Sequence, residues 1–192
     1  MFLYADLAGS SRLARVCQWQ TTAKIIRAYL DVATRLIRAW GGEIRSFDGD
    51  RVMGVFIGDT PNSNAANCAR EIDYVVEKII APKAREKFKS VRDNDLQITH
   101  CVGIDVGVAR AVRAGIRNNN DLIWIGKAPA FSAKLSDVRN YPWCVYISSR
   151  SYKKLSDSAK YDGDGKDMWV GVERTVGDVK ETVYKTKVIR KP

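Results

Sequence analysis

The chain has 192 residues, of which 45% are hydrophobic, and no low-complexity or Pro/Gly-rich stretch marks a boundary. We therefore expect a single domain that covers residues 1–192. Its apolar runs are far shorter than the roughly 20 residues that a membrane span needs, and nothing resembles a signal peptide. These absences predict a protein without a membrane segment, located in the cytoplasm.

The formal net charge of +10 at pH 7 suggests an anionic partner, and the charge alone leaves a nucleoside triphosphate and a nucleic acid open. The basic residues between Lys83 and Lys89 are evenly spaced, which is typical of a solvated helix face, so we expect no nucleic-acid partner. The cysteines lack paired metal-ligand spacing, which argues against a zinc site or disulfides and favours free buried thiols. They are Cys17, Cys68, Cys101 and Cys144.

Hydrophobic periodicity and turn residues predict the elements in chain order. A buried strand opens the chain, and an Asp-Gly turn then joins two apolar runs into a hairpin. Strands are predicted over 2–7, 43–47, 52–56, 97–106, 109–116, 121–125, 144–147, 168–173 and 182–189. Helices are predicted over 26–40, over about 64–89, and after Gly126, where Pro129 suits a first turn.

We expect segment 109–116 to pair with 97–106 as its hairpin partner. Helices alternating with hairpin-paired strands indicate an α+β fold with an antiparallel-rich sheet, best matched by a ferredoxin-like palm core. Because the first strand begins at the second residue, an N-terminal extension of the natural protein is an open alternative.

Two aspartates carry the chemistry that the sequence predicts. Asp6 closes the first strand and Asp50 lies in the hairpin turn, so the two carboxylates can converge on one divalent ion. Oxygen ligands suit magnesium or manganese rather than zinc. The alternative is that Asp6 caps the following helix and Asp50 only satisfies a turn.

Residues beside the two aspartates are candidates for holding a nucleotide. Tyr4 lies on the same strand face as Asp6. Gly9 permits a close backbone turn, and the amides near Ser10 at a helix start suit phosphates. Arg51 is predicted to contact phosphate or base, with pairing to Asp48 as the alternative. His100 is expected to be a packed core residue rather than a catalytic base.

Three motifs resemble the class III nucleotide cyclases: YADLAGSS (4–11), GGEIRSFDGD (41–50) continued by VMGVF, and VGIDVGVARAVRAG (102–115). The resemblance covers roughly residues 2–140. It implies that Asp6 and Asp50 bind two Mn²⁺ or Mg²⁺ ions, with the backbone carbonyl of Leu7 completing one site.

Four positions depart from the family pattern. Ser46 and Ile123 stand where purine-specific members carry base-reading residues. Ala130 replaces the asparagine that stabilises the transition state, and Lys134 replaces an arginine, which keeps the cation but loses its bidentate fork. A base pocket with a changed specificity explains these departures, and it also explains why the metal-binding aspartates, Asp6 and Asp50, are both present.

The chain accordingly resembles the compact pyrimidine cyclases of bacterial anti-phage Pycsar systems. That resemblance implies conversion of UTP to 3′,5′-cyclic UMP and pyrophosphate, a homodimer with composite sites, and an effector that senses the cyclic nucleotide. Catalytic roles fall to Asp6, Asp50 and Lys134. The alternatives are CTP as substrate, a divergent adenylate cyclase, an inactive nucleotide-binding module, and a basic nucleic-acid-binding palm domain.

Overall fold

The computed structural model describes residues 1–116 and 118–192 as alternating strands and helices. The strands are β1 (Phe2–Ala8), β2 (Gly42–Asp48), β3 (Arg51–Phe56), β4 (Thr99–Asp105), β5 (Arg110–Ile116), β6 (Asn119–Ile125), β7 (Val145–Ser148), β8 (Val170–Val176) and β9 (Val179–Thr186). The helices are α1 (Ser10–Val16), α2 (Trp19–Ala39), α3 (Pro61–Val75), α4 (Ala81–Lys87), α5 (Lys89–Asp93), α6 (Lys127–Ser136), α7 (Ser149–Tyr152) and α8 (Asp157–Lys160).

Seven strands form one sheet in the order β2-β3-β1-β4-β7-β9-β8. All neighbouring pairs are antiparallel except β4 and β7, which run parallel. Helices α2 and α3 supply apolar residues to the core on one face, and α6 packs on the other. The predicted α+β palm core with its antiparallel-rich sheet is confirmed.

The predicted pairing of segment 109–116 with β4 is wrong. Strand β5 pairs instead with β6, and the two form a separate two-stranded sheet. Both edges of β4 are already occupied, by β1 on one side and β7 on the other, so β4 offers no free edge to the segment that follows it.

Two other boundaries differ from the sequence prediction. The predicted helix over 64–89 is divided by a π-helical turn, Val76–Ile80, which ends two residues before Pro82; Pro82 has no amide hydrogen to donate to that turn. The connection between the last two strands, β8 and β9, is shorter than predicted and passes through Gly177 at φ 63°.

Close packing of α6 on the sheet depends on Gly103 of β4. A Cβ atom at this position would collide with the backbone of Ser132 and Ser136, so a larger residue would push the helix away. The end of α6 is thereby held over β1, the strand that carries Asp6.

The four cysteines are buried free thiols, as the sequence predicts. Among residues 1–116 and 118–192, none of the helices has the length and apolar character needed to cross a membrane.

Candidate active site

Asp6 lies near the end of β1 with only 5% of its surface exposed. Its neighbours across the sheet are Arg51 on β3 and Cys101 on β4. Strand alternation places Asp6 on the same face as Tyr4, while Leu7 points to the opposite core. The carboxylate therefore emerges on the sheet face that α6 covers.

Asp50 lies in the turn of the β2–β3 hairpin, directly before Arg51. Gly49, the other turn residue, has a φ of 59°. The turn is tied to β1, because the amide of Leu7 donates to the backbone carbonyl of Asp50 across 3.4 Å. One carboxylate oxygen of Asp50, Oδ2, is buried and has no hydrogen-bond partner among the residues that the structure describes. The structure thus brings Asp50 beside Asp6 and leaves it an unused acceptor.

Two arginines hold the carboxylate of Asp6. The Nε of Arg51 donates to Oδ1 across 3.3 Å, and Arg139 donates to Oδ2. Arg51 also pairs with Asp137, just past the end of α6. The guanidinium of Arg51 therefore contacts Asp6 and Asp137 rather than Asp48, its alternative partner in the sequence prediction.

Burial and charge act on Asp6 in opposite directions. Burial raises the pKa of the Asp6 carboxyl above its ordinary value, and this outweighs the lowering by Arg51 and Arg139.

Tyr29 of α2 is fully buried, and its hydroxyl has no partner among the described residues. Burial, assisted by the negative charge of Asp6 and Asp50, raises the pKa of Tyr29 well above its usual value. The candidate site therefore combines two carboxylates, Asp6 and Asp50, with two guanidinium groups, Arg51 and Arg139.

The turn after β1 uses a glycine cap. Gly9 has a φ of 74°, and its carbonyl accepts the amides of Arg12 and Leu13 across 2.9 and 3.0 Å. Since no side chain caps α1, the alternative role of Asp6 as a helix cap is wrong. Ser10 is the first residue of α1.

A cavity of about 240 Å³ opens beside this turn. Gly9, Arg12 and Arg139 are among its lining residues, so two cationic side chains face a space next to Asp6. Such a cavity suits an anionic ligand.

Tyr4 is half-buried and packs against a buried apolar cluster of Phe2, Met53, Val55 and Ala128. Burial raises the pKa of its hydroxyl, while the nearby Arg51 lowers it. Tyr4 thus lies on the same sheet face as Asp6, near Arg51.

Lys134 lies apart from the two aspartates. It is exposed on α6, and its ammonium lies against Gly177 in the β8–β9 turn. Ala130, one helical turn earlier, is exposed as well. Within the described part of the chain, no hydrogen bond or ion pair joins Lys134 to Asp6 or Asp50.

Solved structures with the same fold are nucleotide cyclases. A bacterial light-regulated adenylyl cyclase matches with a TM-score of 0.78 at 19% identity, over 99% of this chain and 51% of its own. The guanylyl cyclase Cya2 matches with a TM-score of 0.75 at 16% identity, over 100% of this chain and 92% of its own. The chain spans about half the length of the light-regulated cyclase.

No family model matches the chain. A uridylate cyclase of Rhodovulum sp. is 41% identical over 192 residues, which cover 100% of this chain and 80% of the relative. A uridylate cyclase of Burkholderia cepacia is 42% identical over 167 residues, covering 87% and 70%. The chain belongs to the class III nucleotide cyclases. It is an enzyme of the nucleotide cyclase type.

Sequence reasoning missed three residues of this candidate site. Arg139 and Asp137 follow the end of α6 in an irregular segment, where no periodic pattern marks them. Tyr29 was detectable, because Tyr29, Ala33 and Ile37 recur at four-residue steps along α2. Arg139 donates to Asp6, Asp137 pairs with Arg51, and the charges of Asp6 and Asp50 raise the pKa of Tyr29, so each is coupled to the site from a distant element.

Proposed function

We propose that the chain is a uridylate cyclase that converts UTP to 3′,5′-cyclic UMP and pyrophosphate. The observation that carries the proposal is the buried, unpartnered Oδ2 of Asp50 beside the carboxylate of Asp6. The choice of UTP is supported by curated relatives named uridylate cyclase at 38–42% identity.

The donor set fits divalent ions of the Mn²⁺ or Mg²⁺ class. Carboxylate oxygens of Asp6 and Asp50, with the backbone carbonyl of Leu7, are ligands that hard cations prefer. Two such ions, when bound, lower the pKa of the ribose 3′-hydroxyl and neutralise charge on the triphosphate. An unpartnered buried carboxylate oxygen is costly for a protein, and a cation at this place removes that cost.

The arginines are assigned to the triphosphate. Arg51 and Arg139 form ion pairs with Asp6. When a cation binds the carboxylate of Asp6, both guanidinium groups lose their ion-pair partner. Phosphate oxygens can replace it, because they match the donor geometry of a guanidinium group. Gly9 and Arg12 border the space beside Arg139, so the phosphates are assigned to that cavity, with Ser10 at the start of α1 as a further donor.

Base selection is assigned to Tyr4 and Arg51. The ring of Tyr4 narrows the space next to Asp6, which disfavours a two-ring base, and donors of Arg51 suit the acceptor-rich edge of uracil. Ser46 on β2 and Ile123 on β6, where purine-specific members read the base, offer no purine-reading side chain.

A symmetric homodimer is proposed because the β5–β6 hairpin exposes apolar side chains. Two-stranded ribbons are only marginally stable alone, and exposed apolar surface of this kind marks an interface. The exposed apolar residues include Val112, Ile116, Leu122, Ile123 and Ile125. Lys134 is assigned to the active site of the partner, where it assists charge development on the phosphates.

The proposed product acts as a second messenger. We assign it to cytoplasmic signalling in anti-phage defence, in which an effector senses cyclic UMP. The second candidate is a nucleotide-binding module without turnover, favoured by Ala130 and by the two arginines on Asp6.

Incubation with each nucleoside triphosphate separately and Mn²⁺, followed by mass analysis of the products, tests the proposal. Cyclic UMP from UTP supports it, whereas nucleotide binding without any cyclic product assigns the chain to the inactive module.

A further inference from the structure

Three metal-ligating side chains meet away from the catalytic carboxylates. Asp73 of α3, His100 of β4 and Cys144 just before β7 are all buried. His100 lies opposite Leu7 in the sheet register, so it points to the face opposite to Asp6. This cluster is therefore separate from the nucleotide site.

The spacing of the cluster fits one tetrahedral ion. One ligand atom from each residue lies within 4.8 Å of the others, and the Nε2 of His100 is 3.0 Å from Asp73 Oδ1. Ligand atoms around tetrahedral zinc are roughly 3.3 to 3.8 Å apart, given bonds of about 2.0 to 2.3 Å. A small inward movement of the three side chains brings their ligand atoms to the spacing of a tetrahedral site.

A hydrogen-bonded core cluster without metal is the competing explanation. That explanation accounts for the pairing of His100 Nε2 with Asp73, but it does not account for a cavity of about 340 Å³ that is lined by all three residues. An apolar filling would have closed this space, whereas a metal site needs an entry path and room for another ligand.

The cavity leaves room for a fourth ligand. Glu77 lines it from the π-helical turn Val76–Ile80, and such turns occur frequently at functional sites, but its carboxylate accepts a hydrogen bond from Lys78 across 2.6 Å. A water in the cavity would therefore complete a fourfold site around the ion. The combination of nitrogen, sulfur and oxygen ligands suits zinc and not the hard cations of the nucleotide site.

We propose that Asp73, His100 and Cys144 bind one Zn²⁺ ion that fastens α3 to the sheet. On binding, the Cys144 thiol loses its proton to solvent and a sulfur–zinc bond forms, with no change in oxidation state. The sequence argues against zinc only because the ligands are scattered along the chain, and the fold brings them together.

The test uses the full chain, freed of metal by chelation and titrated with ZnCl₂ against a chromophoric chelator. We expect one zinc per chain, a higher thermal denaturation midpoint with zinc, and affinity lowered more than about tenfold by Cys144→Ser or Asp73→Asn. The control is Cys101→Ser, a buried thiol on β4 outside the cluster, which should bind zinc as the parent does.

Cobalt substitution gives a direct reading of the ligands. We expect Co²⁺ to show a thiolate charge-transfer band and tetrahedral visible absorption in the parent and in Cys101→Ser. Absence of the band from the folded parent would overturn the site. Zinc binding that is equally tight in Cys144→Ser and Asp73→Asn would also overturn it, by placing the ion elsewhere. Since the parent spectrum decides by itself, the test stands even if a variant fails to fold.

Discussion

Arg139, three residues past the end of α6, donates to the carboxylate of Asp6, which lies 133 positions earlier in the chain. With Arg51 on the other oxygen, it occupies both carboxylate oxygens of Asp6. Under the proposed function, a metal ion and the arginines compete for these oxygens, and the arginines become available to phosphate once the metal binds.

Replacing Arg139 with Ala should change two affinities in opposite directions. Mn²⁺ binding to the nucleotide-free protein should tighten about fivefold, because a partly exposed ion pair (41% of the Arg139 side chain is exposed) contributes about 1 kcal/mol. The KM for the nucleotide should rise, since a phosphate donor is lost. Calorimetric Mn²⁺ titration and steady-state kinetics measure the two effects.

Arg139→Lys is the matched control, because it keeps the cation and loses the fork. It should bind Mn²⁺ nearly as the parent does. Unchanged Mn²⁺ affinity and unchanged KM in Arg139→Ala would show that the contact with Asp6 has no role in the reaction.

Replacing Asp6 or Asp50 with Asn should abolish turnover while the fold persists. A neutral amide is a poor ligand for a hard cation, and losing several kcal/mol of transition-state stabilisation lowers kcat by about three orders of magnitude or more. Rates are compared with circular dichroism and thermal unfolding. Asp59→Asn, at an exposed position after β3, is the control and should remain active. Full activity of Asp6→Asn or Asp50→Asn would remove the two-metal assignment.

Local signals explain which parts of this structure were predictable. Strand β1 is a continuous apolar run, and the β2–β3 hairpin carries Asp48-Gly49 at its turn, so both follow from a few adjacent residues. The adjacency of Asp6 and Asp50 then follows from pairing β1 with β3.

Features that depend on distant elements were not predictable. The partner of β5 is decided by which edges of β4 are free, and the sequence of 109–116 holds no information on that. Arg139 likewise reaches Asp6 only because Gly103 lets α6 lie close to the sheet. Periodicity describes one element at a time, so such contacts appear only in the assembled fold.

Mixing two inactive variants should restore activity if each site uses both chains. Asp6→Asn lacks metal binding, and Lys134→Ala lacks the cation supplied across the dimer, so a hybrid dimer regains one intact site. Up to about one quarter of parental activity is expected when subunits exchange freely at equal amounts, since half the dimers are hybrids with one of two sites restored. Activity is measured after co-incubation, with exchange verified by differently tagged chains.

A hairpin variant controls this experiment. Val112→Asp, on the exposed apolar hairpin, should give monomers in light scattering and prevent rescue, whereas Val170→Asp, on the outer edge strand β8, should not. If Asp6→Asn and Lys134→Ala are each inactive and their subunits exchange, but the mixture shows no activity, that result would count against a site composed of two chains.

Base choice should depend on Tyr4 and Arg51. Tyr4→Ala should depress UTP turnover and relax discrimination against purines, whereas Tyr4→Phe, which keeps the ring, should retain discrimination. Arg51→Ala should reduce the preference for UTP over CTP, because a polar mismatch in a closed site costs about 1 to 3 kcal/mol. The kcat/KM values for all four nucleotides measure this. Equal proportional losses with every nucleotide would assign both residues to packing or phosphate binding.

The most direct test of the central claim is competition in one tube. The parent protein is given Mn²⁺ and equal concentrations of UTP, CTP, ATP and GTP, and initial product ratios, which equal ratios of kcat/KM, are read by mass spectrometry. The Asp6→Asn variant serves as the blank. We predict cyclic UMP as the dominant product, with pyrophosphate released in equal amount. A dominant purine cyclic nucleotide, or no cyclic product above the Asp6→Asn blank, would contradict the assignment as a uridylate cyclase.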